Sequence, residues 1–115
     1  MPKELIEKIK RSALFNQGFV TVEYLAASYL DMDWHTQKEM TKLAPMAFEE
    51  FALNRIGLIP EIVVRYRSPY FRHIFSGVVA YSAGYYSYVW AQVLDADAFS
   101  AFKETDLFDL SLIHI

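Results

Sequence analysis

Apolar residues recur at three- and four-residue intervals along the first part of the chain, the spacing that predicts amphipathic helices. The first stripe consists of Leu5, Ile6, Ile9 and Leu14. It predicts a helix over residues 2–14, which Gly18 terminates. A second apolar stripe predicts a helix from about Thr21 to about His35.

Prolines and a glycine mark the boundaries of the middle segments. Pro45 predicts the start of a helix over residues 46–55, and Gly57 predicts its end. The β-branched stretch 61–64 fits either an extended segment or a single helical turn. Pro69 predicts a further boundary, because the residue before a proline avoids the helical region.

The last long apolar stretch predicts a helix from about Tyr81 to about Lys103, which makes the chain an all-α assembly of about four principal helices. Tyr81, Tyr85 and Tyr88 would then lie along one helix face. They follow a basic, aromatic segment and a small-residue turn. This arrangement predicts hydrogen-bond donors presented to a substrate. The alternative is a helix face packed in a core, with the hydroxyls reaching water.

Composition adds one expectation about the surface. Hydrophobic residues make up 54% and aromatic residues 17% of the 115 residues, which is a high share for a small domain or a piece of a larger one. It predicts apolar surface that another polypeptide covers. The net charge of −3 gives no indication of nucleic-acid binding, and the absence of cysteine excludes disulfides and thiol chemistry.

Residues 74–94 carry no charge and are numerous enough to span a bilayer. They include three serines, a glutamine and four tyrosines, so a buried or cleft-lining helix is favoured over a membrane segment. The charged N-terminus lacks the apolar stretch of a signal peptide. We therefore expect a cytoplasmic protein that does not insert into a membrane.

Two blocks of sequence carry a family resemblance. The block YFRHIFSG with YSAGYYSYVWAQVLDADAF, and the upstream block FNQGFVTVEYLAASYLDMDWHT, resemble the C-terminal part of the thimet oligopeptidase, oligopeptidase A and dipeptidyl carboxypeptidase family of zinc metallopeptidases. The resemblance implies that residues 1–109 are a helical piece of a catalytic domain. That domain would act on short peptide substrates together with a missing upstream part.

The zinc site of that family requires an H-E-x-x-H motif and a glutamate on a neighbouring helix. The histidines of this chain are His35, His73 and His114, and none of them forms that motif. Asp31, Asp33 and His35 form a D-x-D-x-H pattern, which we interpret as a polar helix end with side chains on different faces. We therefore assign no metal ligand here. Zinc belongs to the full-length enzyme, and the chain alone is predicted to be inactive.

The resemblance also implies roles for individual residues. Tyr81 and Tyr88 match tyrosines that contact the oxyanion or the scissile carbonyl, and His73 matches a catalytic histidine that orients the substrate. The substrate-binding residues implied are Tyr85, Gly77 and Gly84. The family usually reads G-G-Y in this loop, whereas here Gly77 is followed by Val-Val-Ala before Tyr81, which predicts a stiffer loop and a displaced tyrosine.

Three further features leave alternatives open. Arg65, Arg67 and Arg72 would pair either with a peptide carboxylate, or with Glu61 or acids of the missing upstream part. Residues 110–115 read as a non-native tail derived from a sequencing adapter, or as an ordinary divergent apolar tail. The alternative function is a non-catalytic helical module that binds peptides or a partner through its tyrosine-rich face.

Overall fold

The computed structural model describes residues 1–77 and 81–114, with the backbone alone for residues 113 and 114. These residues form five α-helices and two short 3₁₀ helices, and they include no β-strand. The α-helices are α1 (Lys3–Ser12), α2 (Gln17–His35), α3 (Pro45–Arg55), α4 (Arg72–Phe75) and α5 (Ser87–Glu104). The 3₁₀ helices are Ser68–Tyr70 and Leu110–His114. The all-α prediction is confirmed, with α4 as a short additional helix.

The chain divides into two compact units, Met1–Tyr85 and Tyr86–Ile115. In the first unit, α2 packs against α3, and α3 packs against the 3₁₀ helix Ser68–Tyr70. The buried apolar residues of this unit are Ala26, Ala27, Leu30, Phe48, Ala52, Ile62, Val64, Phe71, Ile74 and Tyr85. The alanines of α2 let the neighbouring segments approach its backbone closely, because a methyl group occupies little space.

The break between α1 and α2 lies at Asn16, not at Gly18. Asn16 has a left-handed conformation with φ 55°, which asparagine tolerates better than most residues. Gly18 instead lies inside the first turn of α2, which starts at Gln17. The predicted start near Thr21 was therefore wrong, whereas the predicted end at His35 is confirmed.

Local signals determine both ends of α3. Pro45 opens the helix, and Gly57 follows it with a left-handed φ of 70°. The next residue, Leu58, donates its N–H to the carbonyl of Leu53 at 3.1 Å, which closes the helix end. Residues 61–64 do not form the single helical turn that was one of the two predicted alternatives: a turn bond from the Ile62 N–H to the Ile59 carbonyl, 3.1 Å, precedes residues 62–64, which are neither helix nor turn.

The predicted helix from Tyr81 was wrong at its start, because α5 begins at Ser87. Residues 81–86 form turns, and the N–H of Gly84 donates to the carbonyl of Tyr81 at 2.8 Å. Ala83 has a left-handed φ of 52°, which a right-handed helix cannot contain. The three tyrosines therefore do not lie along one helix face.

Most apolar side chains of α1 and α5 are solvent-exposed. None of the residues in either helix is buried, and Trp90 on α5 is 59% exposed. This is the exposed apolar surface that the composition predicts. None of the described helices combines the length and the hydropathy that crossing a bilayer would require.

The 3₁₀ helix Leu110–His114 begins with a local hydrogen-bonded turn. Asp109 accepts hydrogen bonds from the hydroxyl of Ser111 at 2.7 Å and from its N–H at 2.9 Å. These bonds, the hydroxyl first, lower the pKa of the Asp109 carboxyl from its usual range. The origin of residues 110–115 stays a prediction.

Candidate functional site

Asp31 is the buried centre of the site. It lies on α2 with 0% exposure, and its carboxylate accepts N–H groups from two residues far along the chain. Oδ1 accepts the N–H of Ala83 at 2.9 Å, and Oδ2 accepts the N–H of Tyr85 at 2.8 Å. The Nδ1 of His35 lies 2.7 Å from Oδ1 and acts as a third donor, since a carboxylate only accepts.

The D-x-D-x-H pattern therefore has a structural meaning that the sequence interpretation missed. Asp31 and His35 are four residues apart and meet on one face of α2, as that spacing allows. Asp33 does not join them, because it accepts a hydrogen bond from Arg55 on α3. The interpretation of all three as a polar helix end on separate faces was wrong for the first and the last residue.

The zinc ion that the family resemblance implies does not fit these residues. Asp31 and His35, the aspartate–histidine pair of this site, use their facing atoms on each other and on backbone N–H groups. Among the described side chains, those of residues 1–77 and 81–112, no three histidines, aspartates or glutamates are placed to hold a metal ion.

Two hydrogen bonds close the base of the loop that connects α4 to the tyrosines. The N–H of Tyr81 donates to the carbonyl of His73 at 3.1 Å, and the hydroxyl of Ser82 donates to the carbonyl of Ile74 at 2.9 Å. The side chains of His73 and Tyr81 are consequently neighbours, with ring centroids 6.4 Å apart. The predicted stiffening by residues 78–80 lies outside the described residues.

An aromatic cluster surrounds the imidazole of His73. The ring of Tyr66 lies 4.8 Å from it and that of Tyr85 lies 6.1 Å from it, centroid to centroid. Phe71 packs edge-on against Tyr85 at 5.0 Å. The exposures differ sharply, since Tyr85 is 3% exposed and Tyr81 is 43% exposed. Tyr85 therefore belongs to the floor of this cluster, and Tyr81 lies at its solvent-exposed rim.

The remaining predicted residues lie in different surroundings. A Cβ on Gly84 would lie 3.4 Å from the carbonyl oxygen of Tyr81, an ordinary van der Waals contact. Gly77 is exposed and immediately precedes residues 78–80. Tyr88 is half-buried in the first turn of α5, which belongs to the second unit.

Arg67 forms an internal ion pair. Its Nε donates to Oε1 of Glu49, whose side chain is buried, and the N–H of Ser68 donates to the other carboxylate oxygen at 2.6 Å. Trp34 on α2 donates its indole N–H to the Ser68 hydroxyl at 3.0 Å. The partner of Arg67 is thus Glu49, and this network fixes the segment that leads to His73.

Arg65 has a different environment. Its Cζ lies 5.3 Å from the centroid of the Tyr24 ring and 5.8 Å from that of Tyr66, which are cation–π distances. Arg65 is exposed, and none of the ion pairs in the described part of the chain involves it.

Sequence reasoning missed the roles of Asp31 and Glu49, although a signal was present. Asp31 lies four residues after the buried Ala27, and Glu49 lies three residues before the buried Ala52. An acid at a position of the buried helix stripe must find donors, because a buried carboxylate without hydrogen bonds is strongly unfavourable. The pattern could therefore have marked both acids as anchors.

Nearly the whole chain matches known proteins in sequence. Residues 1–112 match the family model of Peptidase family M3. Over 106 residues, the chain is 43% identical to the dipeptidyl carboxypeptidases of Salmonella typhimurium (strain LT2) and of Escherichia coli (strain K12), which covers 90% of the chain and 15% of each relative. It is 33% identical over 116 residues to oligopeptidase A of Escherichia coli, covering 95% of the chain and 16% of the relative.

These matches define the class: the chain belongs to peptidase family M3. The resemblance to the dipeptidyl carboxypeptidase and oligopeptidase A group is thereby confirmed. The chain spans 15% to 16% of the length of the relatives named above.

Proposed function

We propose that this chain forms one wall of the active site of a peptidase that hydrolyses short peptides, with His73 and Tyr81 facing the substrate. The observation that carries the proposal is the pairing of these two side chains. The closed loop base holds their rings 6.4 Å apart, and Tyr81 is 43% exposed at the rim of an aromatic cluster in which Phe71 and Tyr85 are buried. Membership of a peptidase family supplies the reaction type.

The chemistry of peptide hydrolysis suits such a wall. Negative charge develops on the oxygen of the scissile carbonyl, and donors fixed in place before the reaction stabilise it. We assign the hydroxyl of Tyr81 to that oxygen, with Tyr88 as a second donor. The imidazole of His73 orients the peptide backbone, and Gly77 and Gly84 give the loop its close backbone approach to substrate.

Tyr85 supports this wall in two ways. Its buried ring contacts Phe71 and His73 and so fixes the floor beneath the imidazole. Its hydroxyl is the part of the side chain that we assign to substrate contact, as the family resemblance implies. A ring held by packing on several sides is a rigid support for such a contact.

The nucleophile must come from elsewhere. The donor set of a zinc ion is not present among the described residues, so we assign zinc and its activated water to other parts of a full-length peptidase. We therefore expect the purified 115-residue chain to show no peptidase activity. A non-catalytic helical binding module is the alternative, and membership of a peptidase family favours the catalytic assignment.

Arg65 suggests how the substrate is held. Its exposed guanidinium rests on Tyr24 and Tyr66, and the ring of Tyr66 lies 4.8 Å from that of His73. A guanidinium held on an aromatic surface offers paired N–H donors to a carboxylate. We infer that it binds the free C-terminal carboxylate of a short peptide, and the relatives named dipeptidyl carboxypeptidase support release of a dipeptide.

A chimera tests the proposal. Residues 1–112 would replace the matching segment of the Escherichia coli dipeptidyl carboxypeptidase, and peptide hydrolysis would be measured for the chimera and for its Tyr81→Phe variant. A substantial fall in kcat on removing the hydroxyl supports the assignment. An active chimera whose kcat is unchanged by this substitution would refute it.

A further inference from the structure

We propose that Asp31 is a positioning residue, whose buried carboxylate fixes the turn over residues 81–85 and so places the Tyr81 side chain. Its catalytic consequence rests on the function proposed above, whereas its effect on the turn does not. The proposal is carried by the two hydrogen bonds that join α2 to the turn.

The two bonds constrain the turn more tightly than one bond could. Ala83 and Tyr85 donate to different oxygens of the same carboxylate, at 2.9 and 2.8 Å. The peptide units 82–83 and 84–85 must therefore both turn their N–H groups toward α2. If residues 83–85 shifted by one residue relative to α2, at least one of the two N–H groups would no longer reach the carboxylate.

The backbone conformation of Ala83 indicates that the surrounding structure holds the turn in this arrangement. Its φ of 52° is left-handed, a conformation that a residue with a Cβ adopts only at a cost in free energy. Such conformations persist where surrounding structure determines them from several sides. Here the N–H of Ala83 donates to the carboxylate of Asp31, and the N–H of Gly84 donates to the carbonyl of Tyr81.

The buried carboxylate of Asp31 in turn requires the N–H groups of residues 83 and 85. Asp31 is fully buried, and a buried carboxylate requires donors. Its donors are the two turn N–H groups and the Nδ1 of His35. If the turn moved away, His35 would be the one remaining donor of these three. The cost of leaving the buried carboxylate with so few donors therefore favours a single conformation of the turn.

The turn transmits this constraint to the proposed substrate-facing pair. The N–H of Gly84 donates to the carbonyl of Tyr81, and the N–H of Tyr81 donates to the carbonyl of His73. A continuous series of backbone bonds therefore links Asp31 to both side chains. The carboxylate itself is buried and acts through the backbone of Tyr81, without touching substrate.

Amide hydrogen exchange in the 115-residue chain tests the effect on the turn. Asn has the shape of Asp, but its NH₂ group cannot accept an N–H, so Asp31→Asn removes at least one bond. We expect the Ala83 and Tyr85 amides to exchange at least about tenfold faster in Asp31→Asn. Asp33→Asn is the matched control, since this neighbouring acid pairs with Arg55, and it should leave both amides unchanged.

Two outcomes would overturn the positioning role. One is unchanged exchange of both amides in a folded Asp31→Asn chain. The other needs no variant and covers the case in which Asp31→Asn does not fold. In the unmodified chain, these two amides should exchange at least about tenfold more slowly than in an unstructured peptide of the same sequence, and equal rates would end the proposal.

Kinetics in the chimera separate positioning from function. Asp31→Asn should lower kcat by at least about tenfold with little change in KM, since a misplaced donor is lost mainly in the transition state. Combined with Tyr81→Phe it should cause no further loss, because it acts through that hydroxyl. Faster amide exchange with unchanged kcat would overturn the proposed role of Tyr81 and leave the positioning role intact.

Discussion

The carboxylate of Asp31 accepts the backbone N–H of Tyr85 at 2.8 Å, although 54 residues separate them in sequence. Together with its counterpart from Ala83, this bond holds the turn that precedes α5, in which Tyr85 is buried and Tyr81 is exposed. The division of the tyrosines into floor and rim thus depends on one acid of α2.

Tyr81→Phe in the active chimera should lower kcat by roughly 10²–10³-fold and leave KM nearly unchanged, because only the hydroxyl is lost and its proposed partner charge forms in the transition state. Steady-state kinetics on a short peptide measures both constants. Tyr70→Phe is the control, since Tyr70 is 58% exposed and lies outside the aromatic cluster around His73.

Tyr88→Phe should also lower kcat more than it raises KM, since Tyr88 is the second proposed donor. The same kinetic measurement applies to this variant. If kcat is unchanged, Tyr88 has only a packing role in the first turn of α5.

Glu49→Gln should destabilise the chain by about 1.5–3 kcal/mol, the usual range for hydrogen bonds to a charged group. The buried carboxylate accepts from Arg67 and from the Ser68 N–H, and the substituted amide cannot accept both. Urea denaturation followed by circular dichroism measures the difference. The neighbouring Glu50→Gln is the control, because Glu50 is exposed and its substitution should change the stability by less than about 0.5 kcal/mol.

Ala83→Gly should stabilise the chain by up to about 1 kcal/mol. Glycine relieves the left-handed strain of about 1–2 kcal/mol, and the greater freedom of the unfolded chain offsets part of this gain. The matched control, Ala96→Gly in the middle of α5, should destabilise by about 1 kcal/mol. A destabilising Ala83→Gly would contradict the left-handed conformation of this residue.

Arg65→Gln should raise KM for a peptide with a free C-terminal carboxylate by about tenfold or more, since a charge-assisted hydrogen bond is lost. The same substitution should have little effect on the C-terminally amidated peptide, whose KM is already high. Arg11→Gln is the control, because Arg11 is exposed on α1 and is not one of the arginines considered for that carboxylate. Equal effects on both peptides would show that Arg65 does not bind that carboxylate.

The sequence by itself determined the family, the all-α class and the ends of several helices. Pro45 and Gly57 set the bounds of α3 because proline favours a first helical turn and glycine a left-handed residue after the last. His35 ends α2 where it was expected, and both blocks of the family resemblance are confirmed by the match over residues 1–112. These features depend on residues that are close together in the sequence, so the sequence itself predicts them.

Tertiary structure decided the geometry of the site. The spacing of Tyr81, Tyr85 and Tyr88 is helical. However, the carboxylate of Asp31 accepts the N–H groups of Ala83 and Tyr85, and residues 81–86 form turns and no helix. In the same way, Glu49 captures the N–H of Ser68 across 19 residues. Periodicity reports which residues share a face of one helix. It cannot report that a buried acid on another helix offers those N–H groups a charged acceptor, which binds them more strongly than a neutral carbonyl does.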